Sequence, residues 1–321
     1  MNTVINFLRS LWGTYLYYKY KRLYENDPKK AADAMYYKIY GRHMDLDNPK
    51  NLIEKITWLS LNTDTSLWTL CADKYRMRSY IESNGFAENL PKCYGFWDNP
   101  DNIDFSKLPN QFVLKANNGC ATVMIVRDKS QLDEKNVKNE MKKWLKRPFG
   151  YMGAQKHYLT IESGILAEEL LTQTEELNRI SPSSMVDFKI WCINGKPESI
   201  LIVYDRTSEH YKLALYDTSW NAIPENLNED LCNQQKSAPP LEKPKYLDKM
   251  IEIATTLSKD FKEVRIDFYE SPDKPIIGEL TFTTGYGYFT DKYYEYLGSK
   301  INLNDAEKNK LLNLTKIHLK Q

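Results

Sequence analysis

The sequence predicts an α+β fold with mostly antiparallel sheets, preceded by an N-terminal helical segment. Helical patterns fill the first 60 residues, strand patterns dominate the middle of the chain, and one further helix precedes a last pair of strands. Separate runs of helices and strands favour α+β over alternating βα units. With 321 residues, 42% of them apolar, the chain can bury a large core in two or three lobes.

Start signals position the N-terminal helices. Asp27-Pro28 predicts a helix start, because Asp can cap and Pro fits the first turn. A second helix is predicted after residue 49, where apolar residues recur at helical spacing. A third is predicted over residues 74–84, with Asp73 as its N-cap and Asn84-Gly85 at its end.

After residue 108 the apolar period changes to that of strands. Strands are predicted at 111–116, 122–126, 164–171, 186–193, 198–204, 212–217, 264–269 and 278–283. Asn194-Gly195 predicts a hairpin turn. Charged helices are expected near 130–146 and 245–259, a polar loop at 172–184, an irregular crossing at 221–244 and a final helix at the C-terminus.

Composition excludes several classes of function. Lys and Arg (44) nearly balance Asp and Glu (43), so a nucleic-acid partner is not expected. The five cysteines are an odd number without a CxxC pair, which indicates reduced thiols in the cytoplasm. None of the four histidines lies near a cysteine at zinc-ligand spacing.

Residues 1–24 combine four basic residues, several aromatic residues and no acidic residue. Such a helix can lie on an anionic membrane surface, or it can pack on the body of the protein. A signal peptide is not expected, because the segment has no small-residue cleavage site.

Two strand-like runs in the last third each carry one acid among apolar residues. Alternation places Arg265 and Asp267 on one face of the first strand, and Glu279 and Thr281 on one face of the second. Their oxygens suit Mg²⁺ bound to a nucleotide phosphate, and Arg265 would stabilise developing negative charge. A salt bridge between two strands is the alternative.

Other charged residues could complete a nucleotide site. Lys115 stands before the small loop Asn117-Asn118-Gly119, where it could reach phosphates, with Lys74 as a weaker candidate. Asp187 and Lys189 share one strand face and form either an ion pair or part of a phosphate wall. In Glu168-Glu169-Leu170-Leu171, the backbone could pair with adenine and a carboxylate could reach the ribose. Solvated strand ends are the alternative for Lys115 and for this segment.

In their order along the chain, six motifs resemble the ATP-grasp superfamily, and more narrowly its TupA-like branch, named for teichuronopeptide biosynthesis. They are Asp73-Lys74, Phe112-Val113-Leu114-Lys115, Ala167-Glu168-Glu169-Leu170, Asp187-Phe188-Lys189, Val264-Arg265-Ile266-Asp267 and Gly278-Glu279-Leu280-Thr281. The resemblance runs from about residue 48 to about residue 298.

This resemblance implies an ATP-grasp fold, in which two α+β lobes clasp ATP and Mg²⁺. The implied phosphate contacts are Lys74, Lys115, Asn118, Gly119 and Asp187; adenine and ribose contacts are Glu168, Glu169, Leu170 and Leu171; metal ligands are Asp267, Glu279 and Thr281; catalytic residues are Arg265 and Lys189. Thr281 stands where the superfamily usually has asparagine, and the loop after Lys115 has a single glycine.

The implied organisation has five parts. They are an N-terminal helical segment (1–60), the first part of the ATP-grasp core (61–110), a lid (111–171), a C-terminal subdomain with the metal site (172–300) and a C-terminal helix (301–321).

The implied function is an ATP-dependent carboxylate–amine ligase that forms an amide through an acyl phosphate. The substrates would be a carboxylate-bearing sugar or polysaccharide precursor, such as a uronic acid of a capsule or O-antigen, and an amine. Trp191, Trp220 and Tyr286 could stack on sugar rings. The location would be the cytoplasm, at the inner face of the membrane if residues 1–24 bind lipid.

Two alternatives stay open. One is a glycosyltransferase of the same pathway, although no DxD-type motif follows a strand. The other is an ATP-binding scaffold that has lost turnover.

Overall fold

The computed structural model describes the backbone of residues 2–305 and the side chains of residues 12–304. The described helices are α1 (Asn2–Asn26), α2 (Pro28–Tyr40), α3 (Leu52–Asn62), α4 (Ser66–Ala72), α5 (Met77–Ser83), α6 (Glu134–Leu145), α7 (Lys156–Leu159), α8 (Glu175–Ile180), α9 (Glu229–Ser237), α10 (Leu247–Leu257) and α11 (Asp291–Ser299). Most of the C-terminal helix expected at 301–321 lies outside the described residues.

Two antiparallel sheets form the centre of the molecule, which confirms the α+β prediction. The strands are β1 (Cys93–Trp97), β2 (Phe112–Ala116), β3 (Val123–Val126), β4 (Ile165–Glu168), β5 (Asp187–Ile193), β6 (Lys196–Tyr204), β7 (Lys212–Tyr216), β8 (Glu263–Glu270) and β9 (Pro275–Thr281). The first sheet has the order β1-β4-β2-β3 and the second the order β7-β6-β5-β8-β9.

Each sheet has its own buried core. In the smaller sheet, alternate residues such as Leu114 and Ala167 pack with Val137 and Met141 of α6. The larger core combines the five-stranded sheet with several helices, among them α3, α10 and α11. Burying one face of each sheet in this way fixes the strand register, because a slip of one residue would turn apolar side chains to water.

Helix caps match the sequence signals where the signal is local. The Asp27 side chain accepts hydrogen bonds from the backbone N–H groups of Lys29 and Lys30 at the start of α2, as predicted. Asn51 and Glu54 form a capping box at the start of α3. The predicted hairpin turn is present between β5 and β6, where Asn194 and Gly195 both have positive φ.

Three expectations were wrong. The supposed loop 172–184 contains α8, capped by the Thr174 side chain, and the supposed crossing 221–244 contains α9, capped by Asn228. Polar composition hid both helices, because neither buries a long apolar stripe. The Asp73 side chain accepts from the N–H groups of Tyr75 and Arg76 in a turn, and the helix itself begins only at Met77.

Across the part of the chain that the structure describes, no helix combines the length and hydropathy needed to span a bilayer.

Candidate active site

Three neighbouring strands place a row of charged side chains on one face of the larger sheet. Lys189 of β5 lies opposite Asp267 of β8, and Asp267 lies opposite Glu279 of β9. One step along the sheet, Arg265 lies between Trp191 and Thr281. Side chains of directly opposed residues point to the same face. The alternation seen in the sequence is thus confirmed as a single charged surface.

Arg265 holds Asp267 with a fork of two hydrogen bonds. Its Nε donates to Oδ1 at 2.6 Å and its Nη2 donates to Oδ2 at 2.7 Å. The same Nη2 lies 3.2 Å from Glu279 Oε1 and 3.2 Å from Thr281 Oγ1. The guanidinium carbon lies 5.3 Å from the centre of the Trp191 ring. Arg265 is therefore fixed in one orientation by its planar contacts.

Lys189 completes the charge balance of the row. Its Nζ bonds to Asp267 Oδ2 and lies 2.6 Å from Asp187 Oδ2. The other oxygen of the Asp187 carboxylate, Oδ1, is buried without a hydrogen-bond partner among the described residues. Arg206, which is half exposed, approaches Asp187 to 3.6 Å. A buried carboxylate with one free oxygen can still accept a hydrogen bond from a ligand.

The pKa values of Asp267 and Glu279 are shifted in opposite directions. Burial raises the pKa of Asp267 to about 6, although the charges of Arg265 and Lys189 oppose that rise. Burial also acts to raise the pKa of Glu279, but the charges of Lys74 and Lys189 outweigh it and hold that pKa well below its ordinary range. Glu279 is consequently the acid that stays ionised and ready to bind a cation.

The residues expected to bind Mg²⁺ lie together, but they are not equally free. Both oxygens of Asp267 are bonded to Arg265 and Lys189, whereas the Glu279 side chain is 32% exposed. In the described residues, no group of three or more His, Cys, Asp and Glu side chains is arranged to hold a metal ion. Mg²⁺ often takes one or two carboxylates and completes its shell with phosphates and waters. Glu279 fits that pattern directly, while Asp267 would have to exchange a cationic partner.

Lys74 connects this row to the loop between β2 and β3. Its Nζ donates to the carbonyl oxygen of Gly119 at 2.8 Å and lies 3.5 Å from Glu279 Oε2. A Cβ added at Gly119 would lie 2.8 Å from Thr122 Oγ1, so a side chain there would disturb the loop. The neighbouring residue of the loop, Asn118, is buried. The phosphate contacts expected at Lys74, Asn118 and Gly119 therefore lie beside the expected metal acid.

The Asn117 side chain joins the segment of Lys74 to the loop after β2, although the sequence pattern indicated only a turn at this residue. Its Nδ2 donates to Asp73 Oδ2 and to the Glu162 carbonyl oxygen, both at 2.9 Å, while its Oδ1 accepts from the Gly164 N–H at 2.8 Å. The Lys74 N–H donates to the Asn117 carbonyl oxygen at 3.0 Å. The two segments that carry Lys74 and Gly119 are thus bonded to each other.

Lys115 lies on the smaller sheet and faces an acid. Its Nζ donates to Glu168 Oε2 at 2.8 Å, and Arg78 approaches the other oxygen of this buried carboxylate to 3.6 Å. The alternative interpretation of Lys115, a solvated lysine at a strand end, is therefore wrong. Lys115 is 22% exposed, so a phosphate could approach its ammonium group while it stays paired with Glu168.

Beyond Glu168 the chain leaves the sheet. The Glu169 N–H donates to the Lys92 carbonyl oxygen at 2.9 Å, and Glu169 Oε1 accepts from the Lys92 N–H at 2.7 Å. Leu170 and Leu171 are partly buried. The Glu169 carboxylate is thus bonded to the backbone of Lys92. The adenine and ribose contacts expected at 168–171 remain a prediction.

The structure exposes two apolar side chains near Lys115 that the sequence analysis did not include among the candidate site residues. Val123 lies opposite Lys115 and Ile125 opposite Val113, and the two β3 side chains are 50% and 53% exposed. They share a sheet face with Lys115. Exposed β-branched residues on this face offer an apolar wall to a planar base, and their alternation in β3 is the signal that could have found them.

The expectation that Trp191 stacks on a sugar ring was wrong. Its side chain is 1% exposed and packs between Arg265 and Phe289. Trp220 stacks on Tyr216 and donates its Nε1–H to the Leu241 carbonyl oxygen.

A small cavity with a mixed polar and apolar lining lies just past the end of β9. Three segments contribute buried oxygens that have no hydrogen-bond partner among the described residues, and they belong to Ser60, Gln155, Thr283 and Thr284. Tyr286 also lines the cavity. Its enclosed part holds about one water molecule. Thr283 of the cavity follows Thr281 by two positions in the sequence.

A comparison with models of known families identifies the family of this chain. A model of the TupA-like ATP-grasp family matches residues 54–302. The chain belongs to the TupA-like ATP-grasp family. The predicted family and its ATP-grasp fold are thereby confirmed. The N-terminal helices α1 and α2 precede the matched region. No curated protein matches the sequence.

Solved ATP-grasp structures resemble the fold at low sequence identity. The ligase PsnB, complexed with a phosphomimetic variant of its minimal precursor, Mg and ADP, aligns with 75% of this chain at 12% identity and a TM-score of 0.41. D-alanine–D-alanine ligase from Bacillus anthracis, complexed with ATP, aligns with 81% of this chain at 12% identity and a TM-score of 0.46. The alignment covers 75% of the length of that ligase. This chain spans 60% of the length of PsnB.

Proposed function

We propose that this protein is an ATP-dependent carboxylate–amine ligase. The observation that carries the proposal is the position of Lys74, whose Nζ lies 2.8 Å from the Gly119 carbonyl oxygen and 3.5 Å from Glu279 Oε2. A triphosphate bound at that point would meet the loop after β2, a lysine and a metal-binding acid together. Such a constellation positions phosphates and neutralises their charge.

The proposed reaction has two steps. First, a carboxylate oxygen of the acceptor attacks the γ-phosphorus of ATP, and ADP leaves. Second, an amine attacks the acyl carbon of the resulting acyl phosphate, phosphate leaves and the nitrogen loses a proton. Neither step needs a nucleophile from the protein. The proposed site residues accordingly include no Ser-His-Asp or Cys-His arrangement.

The residues of the charged row have separate roles in this proposal. Mg²⁺, held by Glu279 with Asp267 and Thr281 beside it, would neutralise phosphate charge. Arg265 and Lys189 would face the transferred phosphoryl group and the acyl centre, where negative charge develops. Because Arg265 is already held in place by Asp267, it needs little reorganisation to act.

Lys115, Asn118 and Asp187 would hold the remaining polar groups of the nucleotide, and Val123 and Ile125 would contact its base. In this proposal residues 61–110 form the first part of the ATP-grasp core, residues 111–171 form the lid and residues 172–300 form the subdomain with the metal site.

For the acceptor we propose a uronic-acid carboxylate of a capsule, O-antigen or other cell-surface polysaccharide precursor, joined to an amino acid or another amine in the cytoplasm. The cavity past β9 supports a hydroxyl-bearing acceptor, because its enclosed part has room for about one hydroxyl group. Such a hydroxyl could bond to one or two of the neutral side-chain oxygens that have no partner among the described residues.

A mass-spectrometric screen tests the proposal. The full chain is incubated with ATP, Mg²⁺, uronic acids and a pool of amines, and products heavier by an amide linkage are sought. Glu279→Gln and Arg265→Lys should abolish or strongly reduce the product, whereas Glu252→Gln on the exposed side of α10 should not. Full activity in both site variants would contradict the assigned site.

The same assay separates the alternatives. Binding of a sugar nucleotide in preference to ATP would favour a glycosyltransferase. Tight ATP binding without ADP release in the presence of every acceptor would favour a scaffold.

A further inference from the structure

Helix α1 turns an aromatic and basic face away from the rest of the protein. Trp12, Tyr15 and Tyr18 are 62%, 55% and 60% exposed, and Lys19 and Arg22 are exposed beside them. The spacing of these five residues, called here the α1 face, follows the helical repeat. Trp12 and Tyr15 stack with ring centres 5.4 Å apart. Such a cluster of large exposed side chains is uncommon on a surface that meets only water.

The opposite side of α1 is attached to the protein. Tyr20 is 4% exposed, and the rings of Tyr17 and Tyr24 each lie 5.6 Å from the Tyr151 ring in edge contacts. α1 therefore packs on the body, as one of the two sequence interpretations held. The packing nevertheless leaves the α1 face uncovered by the described residues, so the second interpretation is not excluded by the first.

The charge around the α1 face is positive. Residues 1–24 contain no acid, and the first acid, Glu25, lies 3.7 Å from Lys21. Arg147, two residues after α6, lies on the flank of α1, where its Nη2 donates to Thr14 Oγ1 at 2.9 Å and its guanidinium carbon lies 5.9 Å from the centre of the Tyr17 ring. Lys146, next in sequence to Arg147, is also exposed.

We propose that the α1 face binds an anionic lipid bilayer. Tyrosine and tryptophan side chains favour the interface between headgroups and acyl chains, where the ring is apolar and its polar tip stays hydrated. Lysine and arginine beside them gain energy from the negative surface potential of such a membrane. Aromatic and basic side chains on one helix face match both properties, whereas a second copy of this chain would bring a repelling positive face.

Lipid binding through this face is independent of the nucleotide site, since none of its five residues belongs to the charged row or to the β2–β3 loop. It would hold the enzyme at the surface where lipid-linked precursors lie.

Vesicle co-sedimentation of the full chain tests the proposal. Vesicles of phosphatidylcholine alone are compared with vesicles that contain 30% phosphatidylglycerol, a composition of about the charge found in anionic membranes. The parent should bind the anionic vesicles, and binding should weaken at high salt. Lys19→Gln with Arg22→Gln should weaken it roughly twenty-fivefold, since each basic side chain contributes about fivefold.

A second variant separates the aromatic contribution from charge. Trp12→Ser with Tyr15→Ser and Tyr18→Ser keeps every charge and should also weaken binding strongly. Tyr211→Ser, which removes a 46% exposed tyrosine elsewhere, is the matched control and should bind like the parent. Circular dichroism of each variant confirms that it is folded.

Three results would overturn the proposal. They are equal binding to neutral vesicles, unchanged binding by both α1 variants, and a lipid-free dimer that the aromatic variant dissociates. The last result would assign the face to contact between copies. ATP binding by the α1 variants should equal that of the parent, so a failure here is distinguishable from a failure of the proposed function.

Discussion

Arg265 and Asp267 stand two residues apart on β8 and form a bidentate ion pair, with N···O distances of 2.6 and 2.7 Å. Both side chains are buried. A buried pair of this kind orients the guanidinium. Removing one member leaves the other as an uncompensated buried charge, so the loss of a single partner destabilises the fold more than the intact pair stabilises it. The pair therefore serves the geometry of the site more than the stability of the fold.

Arg265→Ala should lower the free energy of unfolding by about 3–5 kcal/mol, since Asp267 would lose its principal partner. The chain offers a matched control in Arg42, which forms a similar fork with Asp291, at 2.6 and 2.8 Å, but with both side chains about half exposed. Arg42→Ala should cost at most about 1 kcal/mol. Urea unfolding measures both. Equal losses would show that the Arg265 pair is not effectively buried.

Lys115→Gln should weaken Mg²⁺–ATP binding by about tenfold to a hundredfold, because it removes one charged hydrogen bond to a phosphate. The fold should tolerate the change, since Arg78 remains near the Glu168 carboxylate. Isothermal titration measures the dissociation constant. Lys107→Gln, at a side chain 81% exposed, is the control and should leave affinity unchanged. An unaltered constant for Lys115→Gln would remove this lysine from the site.

His157 should make the protein less stable in acid. It is fully buried among aromatic rings, neither ring nitrogen has a hydrogen-bond partner among the described residues, and burial lowers its pKa to about 3. Because the unfolded chain takes up this proton near pH 6.5 and the folded chain does not, stability falls as the pH drops from about 6.5 toward 3.

Replacing the imidazole tests this. His157→Phe should flatten the dependence of unfolding free energy on pH by up to about 1.4 kcal/mol per unit in that window. The exposed His210→Phe should leave it as in the parent. Identical slopes for His157→Phe and the parent would mean that His157 is protonated in the folded state.

Thr283→Val with Thr284→Val should raise the KM of the acceptor at least tenfold while the KM of ATP stays the same. The substitutions keep shape and remove two hydroxyls that the cavity offers to a ligand. Stability should not fall, because no hydrogen bond within the protein is lost. If both KM values stayed unchanged, the cavity would hold water and not the acceptor.

The sequence predicted the charged row well, because a period of two residues fixes which side chains share a strand face. Arg265 with Asp267, and Glu279 with Thr281, could be grouped from alternation alone. Their pairing across strands depends on register, which the order of the elements suggested but the residues did not fix. The same limit concealed that Asp267 is engaged by Lys189 from another strand.

Other features depend on contacts far apart in sequence. Asn117 bonds to Asp73, 44 residues away, and nothing near either residue signals this. Asp73 was mistaken for a helix cap because a turn and a helix start use the same side-chain bonds to N–H groups. The helices α8 and α9 were missed because short helices on the surface lack a long apolar stripe.

Calorimetric titration of ATP into the full chain, with and without Mg²⁺, measures whether the charged row binds nucleotide and metal together. We expect one ATP per chain, bound more tightly with Mg²⁺, and a Glu279→Gln variant that loses the Mg²⁺-dependent gain while it still binds ATP through the lysines. Absence of ATP binding by the parent, or an undiminished effect of Mg²⁺ in Glu279→Gln, would contradict the assignment of this charged row as the nucleotide and metal site.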